Sequence, residues 1–252
     1  MIGCVVHALD EIDSTQTALA RLAAAGAPEG TVVTARHQTE GRGRRGRRWW
    51  DTPGDGLLLS VLLRPSVPVA HVPQLSLAAG LAVVDALEAA AGVAARIRWP
   101  NDVLIGGRKI CGILAEAASP DDGRAGHVIL GIGINVNQPT FPAELQARAT
   151  SLRVVTGARW DTAPLMTALL DALDRRYGQW RSAGFAGLRG EWRRRSCTLG
   201  GRVRTPAGGE GVAVDVDDEG ALLVDAGEGV LTRVVSGPLG DPSMEARDAA
   251  GH

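Results

Sequence analysis

No helix or strand can run through residues 38–51, Gln-Thr-Glu-Gly-Arg-Gly-Arg-Arg-Gly-Arg-Arg-Trp-Trp-Asp, where Gly41, Gly43 and Gly46 are threaded among Arg42, Arg44, Arg45, Arg47 and Arg48. The stretch has neither period, so it must be a loop, and the chain on either side must be built to hold it. Its glycines free the backbone for positive φ and for close approach to a ligand. Its guanidiniums are planar donor forks matched to phosphate and carboxylate. Charges of one sign repel one another, so the loop is expected to be mobile until an anion arrives. Three readings are open at this point: a solvated basic loop, a nucleic-acid-binding arm, and a lid over a small anionic ligand. Whole-chain charge weighs against the second, because 27 Lys and Arg against 28 Asp and Glu give a net charge of −1.

The flanks of the loop read as strands. Residues 31–35 form a buried strand that delivers the chain into it, and the Pro53-Gly54-Asp55-Gly56 turn leads out into a continuous apolar run, 57–63, typical of a central strand. Upstream, residues 4–9 suit a short first strand. Asp13-Ser14-Thr15-Gln16 then open a helix that ends at Gly26, and from spacing alone Ser14 and Thr15 read as its caps. Downstream, an Ala/Leu helix spans roughly 74–91. Residues 96–105 and 109–116 form a hairpin across Gly106-Gly107-Arg108, with a break at Pro100 where Asn101 and Asp102 leave the ladder. Residues 127–136 form a further strand in which Gly131 and Gly133 allow close backbone approach, and 161–182 and a shorter segment ending at Arg195 read as helices. Short-looped antiparallel strands with helices before and after point to an α+β fold with a mixed, mostly antiparallel sheet. From Cys197 the character changes to four short strands at turn-separated intervals, a small β barrel or sandwich. The division expected is 1–196, 197–240 and a disordered tail at 241–252.

The 252 residues suffice for one sizeable core and a small second module. The stretch 75–91 carries Asp85 and Glu88 and reads as too short and too charged to cross a membrane. The first twelve residues lack a basic start followed by an apolar run, so no secretory signal is expected. Cys4, Cys111 and Cys197 are scattered and odd in number, as reduced thiols of a cytoplasmic protein would be.

Trp99-Pro100-Asn101-Asp102 is the second unusual string. Taken alone it is a turn in which an Asx side chain satisfies its own backbone. The hairpin, however, folds Lys109 back towards Asp102, so an acid and a base could share one end of a sheet. Asn135 closes the glycine-rich strand and is ambiguous in the same way.

Together, Ser14-Thr15, Gln38 followed by Gly41-Arg-Gly-Arg-Arg-Gly46, Trp99-Pro-Asn-Asp102, Lys109 followed by Gly112-Ile-Leu, and Gly131-Ile-Gly-Ile-Asn135 resemble the biotin protein ligases of the holocarboxylase synthetase type, over about residues 9–240. The resemblance implies a catalytic domain shared with lipoate ligases and class II tRNA synthetases, followed by an SH3-like β-barrel domain. It implies ATP-dependent formation of biotinyl-5′-AMP and transfer of biotin to a lysine of a biotin carboxyl carrier domain, such as that of an acyl-CoA carboxylase. The resemblance also implies Mg²⁺ to neutralise the triphosphate; no dedicated metal cage is visible in the sequence. Position by position, the resemblance places Ser14, Thr15, Gln16, Gln38, Arg42, Gly43, Arg44, Lys109 and Gly112 around biotin. It places Arg44, Arg47, Trp49, Asn101, Lys109 and Asn135 around ATP, with Trp49 covering adenine. Lys109, Asp102 and Arg44 are implied as the catalytic groups. Arg98 stands where this family often has Lys. Only thirteen residues precede Ser14, so the expectation is a ligase without a DNA-binding domain, monomeric or weakly dimeric, acting on neither DNA nor membrane. A lipoate ligase would share the fold without this loop pattern. An RNA-binding module would instead show salt-sensitive RNA binding.

Overall fold

The computed structural model describes residues 1–118, 123–227, 230–237 and 239–240. The tail expected at 241–252 lies outside the described residues. Among those described, the first sheet has seven strands: β1 (Val5–Ile12), β2 (Thr31–Gln38), β3 (Gly56–Leu63), β4 (Arg96–Arg98), β5 (Asp102–Ile105), β6 (Arg108–Ala118) and β7 (His127–Asn135), in the order β1-β2-β3-β7-β6-β5-β4. β1 and β2 are parallel, joined through helix α1 (Thr15–Ala24), and every other neighbouring pair is antiparallel. The fold is α+β with a mixed, mostly antiparallel sheet, the single parallel pair being the one joined through α1.

The unbroken apolar run of β3 follows from burial on both faces. Leu57, Leu59, Val61 and Leu63 join the large core, whereas Leu62 meets Leu19 and Ala23 of α1 with Val33 and Ile129 in a smaller one. The large core is capped by α2 (Val72–Ala91), apolar almost all round and ended by Gly92 in a left-handed conformation. Residues Val69–Ala91 are in fact long and apolar enough to cross a membrane by length and composition, which corrects the expectation of a stretch too short to do so. Here 72% of an 18-residue stretch within it is buried, because α2 is sandwiched between the sheet and a later helix. Two short helices, α3 (Ala143–Gln146) and α4 (Leu152–Thr156), precede that helix, α5 (Thr162–Ala183), which is followed by α6 (Ala186–Arg195). Arg176 of α5, 7% exposed, is held by Asp85 at 2.8 Å and Glu191 at 2.6 Å, so its buried charge is paired.

Four strands, β8 (Arg202–Arg204), β9 (Glu210–Val216), β10 (Leu222–Asp225) and β11 (Leu231–Val234), form a separate antiparallel sheet in the order β11-β10-β9-β8. Its Val203, Ala213, Val216, Leu222, Val224 and Val234 join the large core, so this module is packed onto the first.

The hairpin is built differently from the expected one. Residues 96–105 are not one interrupted strand but two, β4 and β5, paired with Arg98 opposite Asp102 and turned by Trp99, Pro100 and Asn101. Asp102 therefore stays in the ladder, opposite Gly112 on its other side. The turn is where Pro100, unable to donate, falls outside the pairing.

Candidate functional site

The face of the sheet beneath α1 has a gap where side chains should be. Gly112 of β6 pairs with Gly133 of β7, and Gly131 pairs with Ser60 of β3. Three glycines on adjoining strands leave a floor of bare backbone. A Cβ on Gly131 would come within 2.9 Å of the Gln16 amide, and one on Gly133 within 2.7 Å of the Trp49 indole. Ser14, Thr15, Gln16, Gln38, Arg42, Gly43, Arg44, Trp49, Asn101, Lys109 and Gly112 line the cleft above this floor, with Leu114 closing one wall.

One end is neutral and polar. The backbone N–H and the hydroxyl of Thr15 donate to Gln38 Oε1 at 2.8 and 3.0 Å, and Thr15 Oγ1 lies 2.9 Å from Ser60 Oγ. Gln16 Nε2 donates to the Leu114 carbonyl at 2.9 Å, while its Oε1 is buried without a hydrogen-bond partner. Ser14 occupies the N-cap of α1, yet its side chain makes no capping bond, so the capping reading from spacing fails there.

The other end is charged. The β5–β6 ladder steps from Val103–Cys111 to Leu104–Lys109, bulging at Ile110. Ile110 and Cys111 both enter the core, and the extra residue turns Lys109 onto the cleft face with Gly112. Lys109 Nζ lies 2.6 Å from Asp102 Oδ1, and Arg98 reaches Asp102 Oδ2 at 2.8 Å. Burial acts on Asp102 to raise its pKa, but Lys109 and Arg98 outweigh it and hold the carboxyl below its ordinary range. Arg44 Nη1 donates to Asn101 Oδ1 at 3.0 Å. Burial and the neighbouring Arg45 and Arg47 disfavour the Arg44 cation, with Asp102 opposing them, so this end is short of negative charge. Cys111 is fully buried, which pushes its thiol far up and leaves it inert.

The Arg/Gly loop is folded on itself rather than open. Arg42 bridges Arg48, Gly43 N–H donates to the Arg47 carbonyl at 2.7 Å, and Arg44–Gly46 make one 3₁₀ turn with Arg45 at φ 59°. Arg42 pairs with Glu116 at 2.7 Å, and the loop roofs a second cavity of about 360 Å³, lined by residues 40–48 with Leu114 and Glu116.

Two expected site residues do not line the glycine floor. Asn135 is buried behind the cleft, its amide donating to the Thr150 carbonyl at 3.0 Å, because the end of β7 turns it towards the 148–150 segment. Arg47 lines the outer cavity and not the glycine floor. Trp49 is in the cleft but placed differently from the expected cover over adenine. Its ring lies on Gly112 and Gly133, 5.5 Å from Lys109 Nζ, filling the gap that the glycines leave, with Nε1 buried and unpartnered. Ser60 and Glu116 were missed. Ser60 had a signal, as the one polar residue in the run 57–63. No group of three or more His, Cys, Asp or Glu that could hold a metal occurs among the described residues.

The model of the biotin/lipoate A/B protein ligase family matches residues 8–135, and that of the biotin protein ligase C-terminal domain matches 198–237. The chain is 44% identical over 223 residues to the biotin--[acetyl-CoA-carboxylase] ligase of Mycobacterium tuberculosis, covering 85% of this chain and 80% of that protein. It is 43% identical over 226 residues to the bifunctional ligase/repressor BirA of Bacillus subtilis, covering 88% and 69%. Its structure superposes on a biotin protein ligase from Aquifex aeolicus in complex with biotin and ATP, with a TM-score of 0.82 and 32% identity over 94% of this chain and 98% of that one. A cleft with one neutral polar end and one cationic end, on a fold shared at this level of identity, leaves one assignment: the chain belongs to the biotin protein ligases of the biotin/lipoate A/B protein ligase family.

Proposed function

We propose that this cleft joins biotin to ATP and then passes biotin to a lysine of a biotin carboxyl carrier domain. In the first step a biotin carboxylate oxygen attacks the α-phosphorus, the bond to the β-phosphate breaks, and pyrophosphate leaves. In the second the lysine amine attacks the acyl carbon of the mixed anhydride, AMP departs, and the amine gives up a proton. The observation that carries this reading is the glycine floor between two unlike ends, which matches a ligand with a neutral fused ring and an anionic tail.

Ser14, Thr15, Gln16 and Gln38 hold the ureido ring in this proposal, the unpartnered Gln16 Oε1 being ready to accept an N–H. Lys109 leaves Asp102 for the carboxylate and α-phosphate oxygens, where charge builds in the transition state. That movement frees Asp102 Oδ1 to receive the incoming lysine ammonium. Asp102 orients that amine by charge, and Arg98, which stays on Oδ2, still favours its ionised form and so keeps it a weak base. Arg42, Gly43 and Arg44 close over the tail and phosphate, Asn101 anchors Arg44, and Arg47 stays on the nucleotide side. Trp49 must leave the floor for biotin to lie there, which brings its ring to the adenine side. Mg²⁺ bound to the triphosphate would supply charge neutralisation there, with no cluster of three or more His, Cys, Asp or Glu among the described residues to hold it separately. The reaction belongs in the cytoplasm, where ATP and carrier are found.

Biotin-dependent exchange of labelled pyrophosphate into ATP tests this reading. The proposal requires exchange that stops when biotin is omitted; exchange that ignores biotin, or responds to lipoate instead, overturns it.

A further inference from the structure

Trp99 stands in a string whose later residues reach the cleft, yet it is turned away from it. Its side chain is 3% exposed, lies in the large core, and takes no part in the cleft lining. Two bonds hold it, and both run towards the C-terminal module. The indole Nε1 donates to the Gly220 carbonyl at 3.1 Å, and the backbone N–H donates to Thr198 Oγ1 at 2.8 Å. The segment that leads into the module also lies along β4, where Ile97 bridges Ser196 and Cys197 N–H donates to the Ile97 carbonyl at 2.9 Å.

Gly220 offers its carbonyl from a stiff turn. Asp217 accepts from the N–H groups of Glu219 and Ala221 at 2.9 and 2.8 Å, and Gly220 N–H donates to the Asp217 carbonyl at 3.0 Å. At φ +84°, a Cβ on Gly220 would come within 2.7 Å of Leu77, so this turn sits directly on α2. Two residues after Trp99, Asn101 faces the other way. It accepts from Arg44 and donates to the Ile113 carbonyl at 2.7 Å. A second arm of the loop reaches the module as well, since a Cβ on Gly237 would lie 3.3 Å from Arg45 Nη2.

We propose that Trp99 is a positioning residue: through Gly220 and Thr198 the C-terminal module sets the β4–β5 turn, and the turn holds Arg44 over the cleft through Asn101. The proposal rests on assigning the cleft to the adenylate. It gives the four-residue string a division of labour, with Trp99 bolted to one module and Asn101 and Asp102 presented to the site.

The test uses the full chain with two variants. Trp99→Phe keeps an aromatic ring and deletes one N–H; Thr198→Val keeps the shape and deletes one hydroxyl. Each is loaded with biotin and ATP, and release of biotinyl-5′-AMP is timed beside the KM for biotin. Losing one hydrogen bond on this path speeds release by about two- to tenfold, with the KM for biotin unchanged because α1 and its polar end are untouched. In an Arg44→Gly background the same substitutions add nothing to release, since the group they act through is gone. Equal acceleration in both backgrounds means that they only loosen the fold, and overturns the proposal. So does unchanged release in both variants from a wild-type chain that makes adenylate. A wild-type chain that makes none overturns the functional reading beneath it, and is recognised before any variant is compared.

Discussion

Gly133→Ala places a single methyl on the floor of the cleft, and its consequence can be worked from the structure. The added Cβ would stand 2.7 Å from the Trp49 ring, against an unstrained carbon–carbon separation of roughly 3.5–4.0 Å. Something must move by close to an ångström. In the free protein the indole can swing out with its partly exposed loop. A bound ring held by Thr15, Gln16 and Gln38 at one end and Lys109 at the other has no such freedom, so the strain falls on the complex. Overpacking of this kind costs about 1–3 kcal/mol, which is about a 5- to 150-fold loss of biotin affinity. The strand itself keeps its partners on β3 and β6, so thermal stability should change little. Titration calorimetry with biotin, beside a thermal melt, reads both quantities. Affinity within twofold of wild type would mean that biotin does not lie on the glycine floor.

Other expectations are as direct. Lys109→Ala should melt close to wild type, because Asp102 keeps Arg98 at 2.8 Å, but should lose about 10²–10³-fold in pyrophosphate exchange; near-normal exchange would remove Lys109 from the reaction. Arg44→Gly deletes a charge-assisted bond to Asn101 worth about 1.5–3 kcal/mol, so adenylate should still form but escape, biotinylating lysines of added serum albumin. A chain dead in both half-reactions would make Arg44 catalytic and not a gate. Asp102 is depressed in the folded state, so its ion pairs stabilise the protein above its ordinary pKa of 3.8 and lose that effect as pH falls through the lower folded value. Melts of wild type and Asp102→Asn should therefore differ at neutral pH and converge in acid; a gap that persists in acid would refute the assignment.

How much of this was legible in the sequence varies by element. The loop 38–51 was readable because glycine and arginine together exclude regular structure, and β3 because burial on both faces leaves an unbroken apolar run. The folding of that loop onto itself was not, since the Gly43–Arg47 bond depends on backbone angles that composition does not specify. Lys109 and Asp102 were paired by the hairpin, but the bulge at Ile110 that aims Lys109 into the cleft leaves no mark in an apolar strand. The direction of Asn135 could not be read, because a polar residue ending a glycine-rich strand looks the same whether it faces a ligand or, as here, the Thr150 carbonyl. Trp99 hid its role because its partners, Thr198 and Gly220, lie about a hundred residues away in a second module.

In the proposed reaction one cleft makes the mixed anhydride without covalent attachment to the protein and holds it for a carrier. A single-turnover experiment tests it most directly: the chain is mixed with biotin and ATP, pyrophosphate is followed in time, and a carrier domain is added afterwards. The expected result is a burst of pyrophosphate close to one per chain, no mass added to the denatured protein, and release of AMP only when a carrier with its acceptor lysine arrives. Steady pyrophosphate release without carrier, or a biotinyl group covalently bound to the chain as an intermediate on the path to carrier, would contradict it.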